Sequence, residues 1–272
     1  MKPISKRADK PARPVFDKYD YYSKSVQSTE TDVVFLRDVY KECRGVAPES
    51  MREDFCGTYA LSADWIRLSP KHTGVGVDLD PEPLEYGHAH ILPKLSPAQR
   101  ERLKIMRGNV LDPNLPKVDL VAAMNFSYFI FKNRGQMLGY FKNVHRTLNE
   151  DGVFVQDLFG GSLCYDANEE KTKHKGFTYY WDQKSYDPAT NYAQFAIHFK
   201  VDGERKREDV FTYDWRMWSI PELKEILKEA GFRRTHLYWE GTTKAGGGDG
   251  KFKRVEHGES CQSWIAYLVS EK

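Results

Sequence analysis

The sequence lacks any apolar run of the roughly 18 residues that a membrane-spanning helix needs, so no membrane partner is expected. It has only four cysteines, Cys43, Cys56, Cys164 and Cys261, and no Cys-x-x-Cys pair. That spacing excludes the common zinc and dithiol motifs, and a chain of 272 residues needs no disulfide framework. A cytoplasmic protein without a metal is therefore expected. Charge of one sign is lacking too: 41 Lys and Arg face 39 Asp and Glu, a net +2. A surface built throughout for a polyanion is excluded, and a nucleic-acid partner is not expected. The first 14 residues carry charge but no apolar stretch of the kind a secretory signal contains, and no internal repeat is present. Glycine is scarce where a dinucleotide loop would need it. The stretch REDFCGTYAL, Arg52 to Leu61, has Gly57 alone in place of G-x-G-x-x-G.

Aromatic residues are plentiful, with 16 Tyr, 15 Phe and 6 Trp, which suits a large core or an aromatic-lined pocket. Residues 1–14 read as a flexible basic arm. Residues 15–47 read as helical, with Val33, Val34, Leu36, Val39 and Tyr40 on one face and an N-cap in the Thr29–Asp32 cluster. After Pro48, strands and helices alternate. Pro70 stops the helix in ALSADWIRLS, and proline opens the one in PEPLEYGHAH. A third begins at Asn133 and is expected to end at Asp151-Gly152. Such alternation predicts a parallel sheet covered on both faces.

From Ser162 the rhythm changes to three or four antiparallel strands, with turns at Asp187-Pro188 and Asp202-Gly203. A helix capped by Ser219 and two closing strands follow, separated by a Gly-rich charged loop, 244–260. The expected fold is α/β: a seven-stranded, Rossmann-like, mostly parallel sheet flanked by helices. Residues 160–218 form an antiparallel β insertion acting as a lid, within a single domain over 15–272.

An acid, a glycine loop, a second acid and a Gly-Asn turn fall at the carboxyl ends of three successive predicted strands. That is the layout of a nucleoside site at a topological switch point. Gly57 lets the backbone approach a ligand. The following helix offers free N–H groups. Asp78 can accept from two ribose hydroxyls, Asn109 can bond an adenine edge, and Leu79 and Val110 can pack on its faces.

This constellation resembles the class I S-adenosylmethionine-dependent methyltransferases of the small-molecule, bacterial-like kind. Glu53, Phe55, Gly57 and Tyr59 stand in the acid-Gly-Gly-Gly places of their first motif, with two of the three glycines replaced. GVGVDLDPEPL resembles the second motif, RGNVLD the third and DLVAAMNFSYFIF the fourth, and LNEDGVFVQDLFGG the strand after it. The likeness spans about 48–160 and resumes over 219–269.

The resemblance implies S-adenosylmethionine as cofactor. By it, Glu53 lies near the methionine amino group and Gly57 against the methionine moiety. Asp78 takes the ribose, Asn109 and Val110 hold the adenine, and the Asn125 backbone lies beside the reacting methyl. YDYYSKSVQ, Tyr19–Gln27, resembles the helical lid over the donor and makes Tyr22 and Gln27 candidates. Arg52 is a candidate for the donor carboxylate, or pairs with Glu53. Plainer roles stand beside these. Glu53 and Asp54 suit a helix cap, Asp78 and Asn109 suit turns, and Asn125 suits an Asx-turn.

Methyl transfer from a sulfonium needs orientation and a dry site first, and a base only where the acceptor carries a proton. His145, His174, His198 and His236 show no recognisable pairing. Tyr128, after the fourth strand, is best placed for catalysis, with core packing as its other reading. Tyr179, Tyr180, Trp181, Phe211, Tyr213, Trp215 and Trp218 of the insertion either line a pocket or fill the seam to the main sheet. Arg216 either binds an acceptor carboxylate or forms an ion pair. The expected partner is a small-molecule methyl acceptor. A non-catalytic methyltransferase-like binding module and an NAD(P)-dependent oxidoreductase are the alternatives.

Overall fold

The computed structural model describes residues 15–243 and 247–272; the expected basic arm, 1–14, lies outside them. Along the chain come α1 (Lys18–Ser25), α2 (Thr29–Arg44), β1 (Ser50–Asp54), α3 (Ala60–Leu68), β2 (Thr73–Asp78), α4 (Pro81–His90), α5 (Pro97–Arg100), β3 (Leu103–Arg107), β4 (Val118–Ala123), α6 (Arg134–Arg146) and β5 (Leu148–Gly160). Then follow β6 (Asn168–His174), β7 (Phe177–Asp187), β8 (Tyr192–Val201), β9 (Arg207–Arg216), α7 (Ile220–Glu229), β10 (Arg234–Thr242), β11 (Gly248–Val255) and β12 (Trp264–Glu271).

The main sheet has the order β11-β10-β12-β5-β4-β1-β2-β3, and β6–β9 form a separate antiparallel sheet. Strands β5, β4, β1, β2 and β3 pair in parallel, while β12, β10 and β11 close the other edge antiparallel. The sheet therefore has eight strands, one more than expected. The extra strand is β11, from the segment expected as a Gly-rich loop. Leu237 to Glu240 pair with Val255 to Phe252, and the Phe252 ring lies 4.5 Å from that of Tyr267. One inward aromatic gives an otherwise polar strand its anchor.

Helix α6 stops at Arg146, not at Asp151-Gly152. The Thr147 hydroxyl donates to the Asn143 carbonyl at 2.7 Å, and Leu148 already pairs with Val118. The next pair is Leu120 with Val153, so residues 149–152 bulge out of β5 and Asp151-Gly152 is the tip of that bulge. Helix α2 starts at Thr29 as its periodicity predicts, with Ser28 rather than Thr29–Asp32 in the cap position.

The central strands are buried on both faces, as a covered parallel sheet requires. Val33, Leu36, Trp65 and Ile66 of α2 and α3 pack on one face. Met137, Tyr140, Phe141 and Leu223 of α6 and α7 pack on the other. The second sheet docks through Phe195 and Trp215, whose rings lie 5.7 and 6.4 Å from Phe159 of β5. Trp181, Phe195, Trp215 and Trp218 belong to this seam, while Phe177, Tyr179, Phe199 and Phe211 pack on the side of α1. Trp181 stacks on Phe195 at 5.0 Å, and Trp218 donates its indole N–H to the Phe131 carbonyl.

Helix α1 bridges the two sheets. The Tyr86 hydroxyl of α4 donates to Asp17, the N-cap of α1, at 2.9 Å, and Lys18 pairs with Glu82 at 2.5 Å. On its other side, the Tyr21 and Tyr22 rings lie 4.8 Å from Phe177 and 5.1 Å from Phe211. No helix among the described residues is long and apolar enough to cross a membrane.

Candidate active site

A cavity of about 270 Å³ opens where β1, β2 and β4 end, beneath α1 and β9. Alternation along β1 sorts its charged residues. Glu53 points to the α3 side, where Ser62 donates its N–H at 2.9 Å and its hydroxyl at 2.6 Å. Burial pushes the Glu53 carboxyl up to about 8 against the pull of these bonds. Arg52 and Asp54 point the other way. Arg52 Nε donates to Asp54 Oδ1 at 2.7 Å and Arg52 Nη1 to Thr147 Oγ1 at 2.9 Å, while Tyr140 donates to Asp54 Oδ2 at 2.9 Å. Arg52 is wholly buried, pairs with Asp54 rather than Glu53, and does not line the cavity. Its expected reach to a donor carboxylate is corrected accordingly.

The first loop follows the path of a glycine-rich turn without the glycines. Phe55, Gly57 and Tyr59 all have left-handed backbones, at φ 59°, 52° and 51°. For a residue with a Cβ that conformation costs roughly 1–2 kcal/mol, so something must hold Phe55 and Tyr59. The Phe55 ring packs edge-on against Phe131 and Tyr140, at 6.0 and 5.6 Å. Tyr59 is wholly buried under α4, its hydroxyl 3.0 Å from His88 Nδ1. It fits because α4 has Gly87 there: a Cβ on Gly87 would stand 2.4 Å from the Tyr59 ring. Tyr59 thus underpins the loop rather than covering a ligand. A Cβ on Gly57 would meet nothing within 4 Å, so its face stays open to the cavity. Burial pushes the Cys56 thiol well up, which suits packing and not nucleophilic attack.

Asp78, at the end of β2, ties the loop down by accepting the Gly57 N–H at 2.7 Å. Its other oxygen accepts the Asp80 N–H at 2.9 Å. Asn109 and Val110 follow Gly108, whose N–H donates to the Asp78 carbonyl at 2.9 Å. Neither lines the cavity. Asn109 forms an Asx-turn with the Leu111 N–H at 2.9 Å, and Val110 is buried in the core. Leu79 stands outside the cavity, 61% exposed.

After β4, Asn125 and Phe126 are left-handed at φ 58° and 60°. Asn125 lines the cavity, as do Tyr22 of α1 and Gln27 just after it. Burial pushes the Tyr22 hydroxyl up to about 12. Phe211 and Tyr213 are the residues of the insertion that reach the cavity. Tyr128 is wholly buried, donates to the Asp157 carbonyl at 2.8 Å, and does not line the cavity. It is a core residue, and the expectation of a catalytic role is corrected. Arg216 forms the ion pair, with Glu222 at 2.9 Å. His198 is buried in the second sheet, bonded to Asp182 at 3.1 Å and accepting the Asp209 N–H at 2.8 Å, away from the cavity. The sequence reading passed over Lys18, Tyr19, Asp80, Glu82 and Met124 of the lining, and Asp157 behind it.

No protein-family model and no curated relative matches the chain. Solved structures do match in fold. A S-adenosylmethionine-dependent methyltransferase from Clostridium acetobutylicum is 21% identical over 93% of this chain and 96% of its own, at a TM-score of 0.63. A sugar N-methyltransferase from Streptoalloteichus is 16% identical over 100% and 99%, at 0.62. An amino pentose methyltransferase from Micromonospora echinaspora, solved with S-adenosylmethionine bound, is 14% identical over 96% and 99%, at 0.64. These likenesses span nearly whole chains and establish the fold.

Proposed function

We propose that the cavity binds S-adenosylmethionine and that the protein transfers its methyl group to a small-molecule acceptor. The observation that carries this reading is the left-handed backbone at Phe55, Gly57 and Tyr59, with Asp78 accepting the Gly57 N–H. Left-handed backbone at these positions is what a glycine-rich donor loop would use, and here two side-chain-bearing residues adopt it. Glu53 and Gly57 would face the methionine end and Asp78 the ribose, and the adenine would run out past the cavity's edge towards Leu79 and Asn109. Asn125, whose side chain has no hydrogen-bond partner among the described residues, and the lid residues Tyr22, Gln27 and Tyr213 would bound the acceptor side. When bound, the donor supplies an activated methyl group; the chain's own residues orient both partners and exclude water.

The neighbours whose names give a substrate act on a sugar, an amino pentose or a glycopeptide, which supports a polar small-molecule acceptor. So does the charge of the lining: Glu53, Asp78, Asp80 and Glu82 face only Lys18, which is already paired with Glu82. No observation favours the oxidoreductase or the non-catalytic alternative. Calorimetry tests the donor assignment. S-adenosylmethionine and its demethylated product should bind with one-site curves, and NADH should not. Labelled S-adenosylmethionine incubated with a size-fractionated extract should mark the small-molecule fraction. Label confined to RNA or protein would overturn the acceptor class.

A further inference from the structure

Asp157 sits near the carboxyl end of β5 and is 6% exposed. Both its oxygens are spent on the turn after β4. Oδ2 accepts the Asn125 N–H at 2.7 Å and Oδ1 the Phe126 N–H at 2.9 Å. Those two residues are the adjacent left-handed pair, a conformation that costs a residue with a side chain of order 1 kcal/mol or more. Met124, Asn125 and Ser127 of the same turn line the cavity. The titratable groups that face Asp157 are Asp32 of α2, Tyr22 of α1, Tyr267 of β12 and Tyr128. None is a cation, so two peptide N–H groups hold the ionised carboxylate. A proton on either oxygen replaces an acceptor with a donor that meets an N–H head-on.

We infer that Asp157 is a positioning residue: ionised, it clamps the Asn125–Phe126 pair and fixes the cavity wall; protonated, it releases that wall. Burial pushes this carboxyl from the ordinary 3.8 up to about 7, although the two N–H groups pull it down, so the clamp changes state near neutrality. The signs of its two effects are opposite. Ordering of the wall grows as pH rises through about 7. Folding stability falls as pH rises from 3.8 to about 7, where the native state holds the extra proton, and levels off above.

The inference rests on the donor reading for its second readout only. The first is the amide resonances of Asn125 and Phe126 in the ligand-free protein between roughly pH 5 and 8.5. In the wild type both should move together with a midpoint near 7. In Asp157→Asn that titration should vanish, and in Asp157→Glu it should return in part. The second is calorimetry with S-adenosylmethionine. Wild type should bind about 10-fold more tightly at high than at low pH, and Asp157→Asn should bind about 10-fold more weakly than wild type at high pH, with a flatter slope. Glu53 titrates nearby, and the difference between wild type and Asp157→Asn isolates the clamp. Static wild-type amides, or wild-type affinity and slope in a folded Asp157→Asn protein, would overturn the inference. Titrating amides without donor binding at any pH would support the clamp and overturn the donor reading instead.

Discussion

The two turns that wall the cavity solve one problem in two ways. Phe55–Tyr59 after β1 and Asn125–Phe126 after β4 both put left-handed backbone at residues that carry side chains. The first turn is held by its own rings, Phe55 against Phe131 and Tyr140 and Tyr59 under Gly87, with Asp78 accepting the Gly57 N–H between them. The second is held by a carboxylate from the next strand. Apolar anchors are indifferent to pH and salt; a carboxylate between peptide N–H groups is not. One wall of the cavity thus has permanent anchors beside its carboxylate, and the other is conditional on its carboxylate.

The hardest blow to the permanent wall is to remove what lies under it. Arg52→Ala strips the counter-ion from Asp54, which is wholly buried beside Phe55. The unpaired charge should cost about 3–5 kcal/mol in denaturant unfolding. A loss below about 1 kcal/mol would mean that water reaches Asp54 and that the base of the loop is soft.

Phe55→Gly sets strain against anchorage. Glycine relieves roughly 1 kcal/mol of backbone cost but forfeits about 2–4 kcal/mol of burial, less than a core ring would, because Phe55 is half-buried. We expect a net loss of about 1–3 kcal/mol and weaker donor binding at every pH. A stabilised variant would show that strain governs this turn, and the contrast with the second would disappear.

Asp78→Ala removes the acceptor of the Gly57 N–H together with the proposed ribose contacts. Donor affinity should fall by about 1–3 kcal/mol, read by calorimetry, while the pH slope assigned to Asp157 persists. Unchanged affinity in a folded variant would sink the donor assignment.

Tyr59→Phe should be the mildest change. It removes one hydroxyl contact to His88 and keeps the ring, so about 0.5–1.5 kcal/mol of stability is expected to go. A larger loss would show that the hydroxyl, not the ring, is the anchor.

The alternation of strand and helix, the Gly57–Asp78 frame and the antiparallel insertion were all legible, because period and turn chemistry are local properties of a sequence. The facing of Arg52 was legible in principle. Residues 52 and 54 share a side of any strand, and a buried arginine two places from an aspartate has its partner at hand. Asp157 was not legible. It stands in an apolar strand, and what distinguishes it is a turn 31 and 32 residues earlier in the chain. β11 was hidden by its glycines, whose loop signal outweighed the single Phe252 that seats the strand. Tyr128 misled because nearness in sequence to a strand end says nothing about which way a ring points.

Gly87 and Tyr59 carry a consequence for descent. A Cβ at 87 would stand 2.4 Å from the Tyr59 ring and 2.5 Å from the Thr58 carbonyl oxygen. Returning Tyr59 to glycine alone would leave a ring-sized void beneath α4. Either step from the present pair is disfavoured by itself, so the two positions can change only together or through a weakened intermediate. A tyrosine in the loop answered by a glycine in the facing helix is thus a pair that resists change at either position alone. Lineages that share this arrangement should therefore vary at 59 and 87 as a unit.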